Sequence, residues 1–130
     1  MVDKETATAD VEKWLDAKRV RAGKRESNKD TIETLIEAVQ YGQLVVNEDC
    51  TLTHLLDAPI AGDTALTELT YKLRLTVSET HSKMKGVKAG DVDGRVIALV
   101  SALCSKPAAI IGKLDTADYS VSQNVALFFL

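Results

Sequence analysis

The spacing of apolar residues changes twice along this chain, and that change constrains the fold more than any single motif does. Val11, Trp14 and Leu15 stand at i, i+3 and i+4, and Ile32, Leu35, Ile36 and Val39 form a second helical stripe. From Gln43 to Leu73 the pattern turns β-like. Leu44-Val45-Val46 is a short extended run, Thr51-Leu52-Thr53-His54-Leu55 alternates, and Leu69, Tyr71 and Leu73 alternate with Thr70, Lys72 and Arg74. Beyond Leu73 helical spacing returns, most strongly in Val96, Ile97, Leu99, Val100 and Leu103, which cover more than half of one helix. Helices, a short β region and helices again predict an α+β fold, mostly α-helical with one small antiparallel β-hairpin. The hairpin is expected to pair Leu52–Leu56 with Leu66–Leu73, with Leu44–Val46 as an extension. Two strands alone are marginal in water, so this hairpin must lean on helices.

Local signals set the expected boundaries. Asp10 is the expected cap of the first helix, which runs into the charged stretch Lys18–Arg25, where Gly23 weakens it. Asp30 is expected to start the second helix with Glu33 as capping-box partner, and Gly42 occupies the left-handed C-cap position. Ala58-Pro59-Ile60-Ala61-Gly62-Asp63 carries turn chemistry. Thr76-Val77-Ser78-Glu79 is a capping box for a short helix ending near Gly86, followed by a small-residue linker over 87–91. Asp91 or Asp93 caps the core helix, Pro107 leads a short helix that ends at Gly112, and Asp115 caps a last helix through Tyr119, Val121, Val125, Phe128 and Phe129. The expected organisation is an N-terminal helical extension over residues 1–43 and a hairpin-and-helices domain over residues 44–130.

Composition excludes several classes. A chain of 130 residues is one domain, or one domain with a short appendage, and 45% apolar content with 27% charge rules out wholesale disorder. Sixteen Lys and Arg against nineteen Asp and Glu leave a net charge of −3, which makes no global case for nucleic acid or an anionic membrane. Cys50 and Cys104 lack metal-type spacing, so neither a disulfide framework nor a zinc site is expected. The first residues are acidic and polar, and the longest apolar runs (Ile97–Cys104, Val125–Leu130) fall well short of the roughly 20 residues that span a bilayer. A soluble intracellular protein is the expectation.

No catalytic constellation emerges. His54 and His81 have no ligand-type spacing to each other or to carboxylates, and both are expected to be solvated or satisfied surface histidines. The glycines at 86, 90 and 94 lack a following Gly-Lys-Ser/Thr. Arg95, Ile97 and Leu99 stand where a calcium loop beginning at Asp91 would need oxygen ligands. No enzyme activity, cofactor or metal is therefore expected. Lys18 to Lys29 carries six cations and one anion, Glu26, and could face phosphates or an acidic partner; a solvated helix end is the simpler expectation. The end of the chain is more informative. Residues 116–130 hold one charged side chain, Asp118, and finish Ala126-Leu127-Phe128-Phe129-Leu130. So apolar an end must dock on the core, enter a partner, or continue in a longer product, and docking on the Val96–Leu103 helix is the simplest expectation.

Asp93-Gly94-Arg95-Val96-Ile97-Ala98-Leu99-Val100-Ser101-Ala102-Leu103, followed by Lys106-Pro107-Ala108-Ala109-Ile110-Ile111, resembles the leucine-rich helix, short loop and proline-led helix of the phage tail assembly chaperones. Leu114-Asp115-Thr116-Ala117-Asp118-Tyr119 with the closing Phe129-Leu130 is similar to that family's ending. Ala58-Pro59-Ile60, Gly62-Asp63 and Leu69-Thr70-Tyr71-Lys72-Leu73-Arg74 resemble its hairpin in contractile-tailed phages. The resemblance covers residues 50–130. It implies a non-catalytic factor that acts in the host cell cytoplasm and is absent from the mature virion. Such factors bind the tape measure protein, keep it soluble, and help the tail tube protein polymerise around it. Tyr119, Val125, Phe128 and Phe129 are the first candidates for client contact or self-association. Leu69, Tyr71 and Leu73 on the hairpin edge come second. The runners-up are a small nucleic-acid-associated regulator using residues 18–29 and a structural tail component.

Overall fold

A computed structural model describes residues 1–62 and 65–130. The fold is α+β, with more than half the chain helical and a three-stranded antiparallel sheet in the order β1-β2-β3, one strand larger than the expected hairpin. The helices are α1 (Lys4–Ala17), α2 (Ala22–Ser27), α3 (Lys29–Gln40), α4 (Val77–Met84), α5 (Val92–Cys104), α6 (Ala108–Ile111) and α7 (Thr116–Ala126). The strands are β1 (Leu44–Val46), β2 (Leu52–Ile60) and β3 (Leu66–Tyr71). The chain divides into two compact units, one of residues 1–56 and 68–73, the other of residues 57–67 and 74–130, with β2 and β3 each passing from one to the other.

In the first unit α1 packs on α3. The cap of α1 is Asp3, not the expected Asp10: its carboxylate accepts the Thr6 N–H at 2.7 Å. The helix starts about two turns earlier because Ala7 extends the buried stripe of Val11, Trp14 and Leu15 toward the N-terminus. Asp30 likewise sits inside the first turn of α3 rather than at its cap, where a negative charge still favours the helix dipole. The stripe of α3 buries Leu35, Ile36, Ala38 and Val39. Its end follows the sequence. Gly42 adopts φ +79°, Gly42 N–H reaches the Val39 carbonyl at 3.1 Å, and Gln43 N–H reaches the Ala38 carbonyl at 2.9 Å, the paired bonds of a Schellman stop.

β1 pairs antiparallel with β2, Leu44 opposite His54 and Val46 opposite Leu52. Period two places His54 on the same face as Leu52 and Leu56, so it is fully buried and not the surface histidine expected from its polarity, while Leu55 turns outward. Its Nδ1 lies 2.7 Å from the Tyr71 hydroxyl, a bond that lets a polar ring sit in an apolar layer. β2 is also longer than expected, absorbing Ala58-Pro59-Ile60 into the strand instead of the turn. Asp57 and Ala58 donate their N–H groups to the Asp118 carboxylate, which holds them extended, and Pro59 has no N–H to donate. Asp63, the last residue of the expected turn, lies outside the described residues.

In the second unit α5 is the central helix. It buries seven consecutive residues, Ala98–Cys104, against α4, α6 and α7. Asp91 caps it by accepting the Gly94 N–H at 2.9 Å, and Ser105 ends it in the left-handed region at φ 54°. The Ser101 hydroxyl meets the Lys106 carbonyl across that corner. Pro107 precedes the single turn of α6, where a missing N–H is harmless. Asp115 caps α7 through the Ala117 N–H at 3.0 Å, and a 3-10 turn at Leu127–Phe129 follows. α7 docks on α5, and Val125 and Phe128 enter the core, each contributing about 1.5–3 kcal/mol by burial.

Candidate functional site

The seven candidate contact residues separate into three situations. Val125, Phe128, Leu69 and Tyr71 are buried, so in this fold they hold the core and offer no surface. For Leu69 and Tyr71 the reason is strand parity: both lie on the face of β3 that turns into the first unit, where Tyr71 meets His54. Of the second candidate surface, Leu69 and Tyr71 thus lie inside the first unit. Leu73 is half-buried, and its carbonyl accepts Lys18 Nζ at 3.1 Å. Tyr119 and Phe129 remain partly exposed, and each lines a separate cleft of the second unit.

The larger cleft is an open groove of about 540 Å³ lined by Leu75, Thr76, Val77, Thr80, His81, Met84, Arg95 and Phe129. Its long wall is α4. Thr76 opens that helix with a complete capping box: its hydroxyl accepts the Glu79 N–H at 3.1 Å, and Glu79 Oε1 accepts the Thr76 N–H at 3.1 Å. Val77, Thr80, His81 and Met84 then recur at i, i+3, i+4 and i+7, one continuous face turned into the groove. No residue of α4 is buried, although the helix lies against α5, and Val77 is 87% exposed. The apolar side chains Val77 and Met84 of this face therefore stand open to solvent in whole or in part. The sequence signalled the capping box but not this face, because Thr80 and His81 dilute the stripe.

The smaller cleft, about 210 Å³, is lined by Ile97, Ile111, Gly112, Leu114, Thr116 and Tyr119. The Tyr119 hydroxyl is buried there with no hydrogen-bond partner among the described residues. Burial pushes its pKa above the ordinary 10.0, and the nearby Asp93 charge adds to the effect. Burial likewise raises the Cys104 thiol above 9.0, opposed in part by its backbone hydrogen bonds and by Lys106 and Lys83. Both folded-state values lie above their unfolded ones, so the stability these neutral groups contribute is complete below pH 9.0 and is lost as pH rises through the folded values. Tyr119→Phe is expected to leave stability unchanged or raise it by up to about 1 kcal/mol, since it removes an unsatisfied hydroxyl. The same variant should flatten the decline in urea midpoint between neutral pH and about pH 10.5.

The basic stretch is partly engaged in the fold. Lys18 Nζ sits 5.9 Å from the Trp14 ring centroid as well as bonding Leu73, and Arg25 bonds the Val20 carbonyl at 2.8 Å and Asp16 at 2.8 Å. Cys50 and Cys104 are buried free thiols. Among the described residues no group of three or more His, Cys, Asp or Glu is gathered to hold a metal ion, and no helix is long and apolar enough to cross a membrane. The chain matches no protein-family model, no curated protein and no solved structure.

Proposed function

We propose that this chain is a non-catalytic phage tail assembly chaperone that holds segments of the tape measure protein in the α4 groove. In this role it keeps the client soluble while the tail tube protein polymerises around it. It acts in the host cell cytoplasm and is absent from the mature virion. The observation that carries the reading is the uncovered apolar face of α4, with Phe129 from the end of the chain completing the groove. Helix-in-groove recognition seats the apolar anchors of a partner helix against an apolar lining, which Leu75, Val77, Met84 and Phe129 supply here. The resemblance over residues 50–130 supplies the client, a long protein whose repeated segments suit many weak contacts. Partial engagement of the basic stretch by Trp14, Leu73, Val20 and Asp16 weighs against nucleic acid as the partner.

The test is co-expression with the tape measure protein of the same phage. Recovery of the client in the soluble fraction, in a complex with this chain, is expected. Val77→Asp with Met84→Asp should return most of it to the pellet while the variant itself stays folded, because neither residue is buried. A client equally soluble with the double variant, or without the chain altogether, contradicts the reading.

A further inference from the structure

We infer that the α4 groove is built for a partner helix whose apolar anchors are flanked by acidic side chains; the inference rests on the groove being the client site. Of the eight lining residues, Leu75, Val77, Met84 and Phe129 are apolar, Thr76 and Thr80 are neutral, and His81 and Arg95 are basic. None is acidic. The one carboxylate of α4, Glu79, is turned to the helix start, where it accepts from the Thr76 N–H and the Thr76 hydroxyl. Arg95 is exposed, and its guanidinium makes no ion pair or hydrogen bond among the described residues, so its planar fork is available to a carboxylate.

The surrounding sequence strengthens the bias. Residues 74–95 hold five Lys or Arg against three Asp or Glu, in a chain whose net charge is −3. Asp91, one of those three, caps α5. The groove follows eight residues of α4, about 12 Å, which matches roughly two turns of a partner helix. A second copy of this chain is the poorer occupant. In a two-fold contact the same patch faces itself, and this patch would bring Arg95 and His81 with no acidic lining residue to meet them.

Two synthetic helical peptides test this directly. Both carry leucine anchors at i, i+3, i+4 and i+7; one has glutamate at the flanking positions and the other lysine. Binding to the full chain is followed by fluorescence anisotropy. The glutamate peptide is expected to bind about five- to tenfold more tightly at low ionic strength, with the gap closing near 0.5 M salt. Arg95→Glu should reverse the preference and Arg95→Lys should keep most of it; both leave an exposed position folded, as circular dichroism will report. Equal binding of the two peptides, or a preference that Arg95→Glu leaves unmoved, would overturn the acidic-partner inference while the groove still binds helices. Binding of neither peptide to the folded wild type overturns the inference and the helix-docking role of the groove together.

Discussion

Asp118→Ala is expected to destabilise the protein by about 2–4 kcal/mol, the larger part of it in the unit formed by residues 57–67 and 74–130. Asp118 is fully buried in the first turn of α7, and its two oxygens accept from Asp57 N–H at 2.9 Å and Ala58 N–H at 3.0 Å. Hydrogen bonds to a charged acceptor are each worth about 1.5–3 kcal/mol, and part of that is offset by the desolvation the carboxylate no longer suffers. Alanine leaves two strand amides without an acceptor and removes a negative charge from the positive end of a helix. Asn keeps one acceptor oxygen and should fall between alanine and wild type. Urea unfolding gives the total, and hydrogen exchange at the Asp57 and Ala58 amides gives the local part, where protection should drop most. A loss below about 1 kcal/mol with unchanged protection would mean that the carboxylate is not what holds β2 there.

Trp14→Ala should cost about 3–5 kcal/mol, felt mainly in the unit of residues 1–56 and 68–73. Trp14 is 1% exposed on the α1 stripe that packs on α3, so truncation removes one of the largest buried side chains from a close-packed interior. The variant also removes the ring beneath Lys18, whose ammonium reaches on to the Leu73 carbonyl. Trp14→Phe retains most of the apolar contact and should cost roughly half as much. Denaturation followed by far-UV circular dichroism separates the two variants. Comparable midpoints for Ala and Phe would show that the pocket closes after truncation.

What the sequence made legible was the information carried within one turn. The Gly42 stop, the Thr76–Glu79 capping box and the Asp115 cap each depend on residues two to five apart and stand as expected, and of the two caps offered for α5, Asp91 and Asp93, it is Asp91 that serves. The α5 core helix was equally visible, because apolar residues around most of a helix leave it nowhere to go but inside. Two local signals were misleading, since Asp3 and not Asp10 caps α1 and Asp30 lies inside the first turn of α3; the other failures came from longer range. Asp118 looked like the one charged residue of an apolar tail, and its partners lie 60 and 61 residues earlier. Without that pairing, Pro59 read as a turn instead of a strand residue. His54 was misplaced by its polarity, although strand parity with Leu52 and Leu56 pointed inward and Tyr71 waited 17 residues on.

The candidate site shows the same division. Apolarity singled out the end of the chain, but an apolar side chain is as readily core as contact, and Val125 and Phe128 are core. Only Phe129 carries over into the groove. The face of α4 opposite it contains just two apolar residues, Val77 and Met84, too few to register as a stripe; its significance depends on the absence of a covering element among the described residues, which is a property of the tertiary structure.

Site-specific photo-crosslinking within the soluble client complex reports where on the chain the client lies. A photoreactive side chain placed at Val77 sits on the groove, while the same group at Val92 (68% exposed) or Leu55 (42% exposed) sits on an apolar surface outside it. Strong client crosslinks are expected from position 77 and weak ones from 92 and 55, with the position-77 product lost when Met84→Asp is added. Crosslinks that form equally from all three positions, or from position 55 alone, would contradict client binding in the groove.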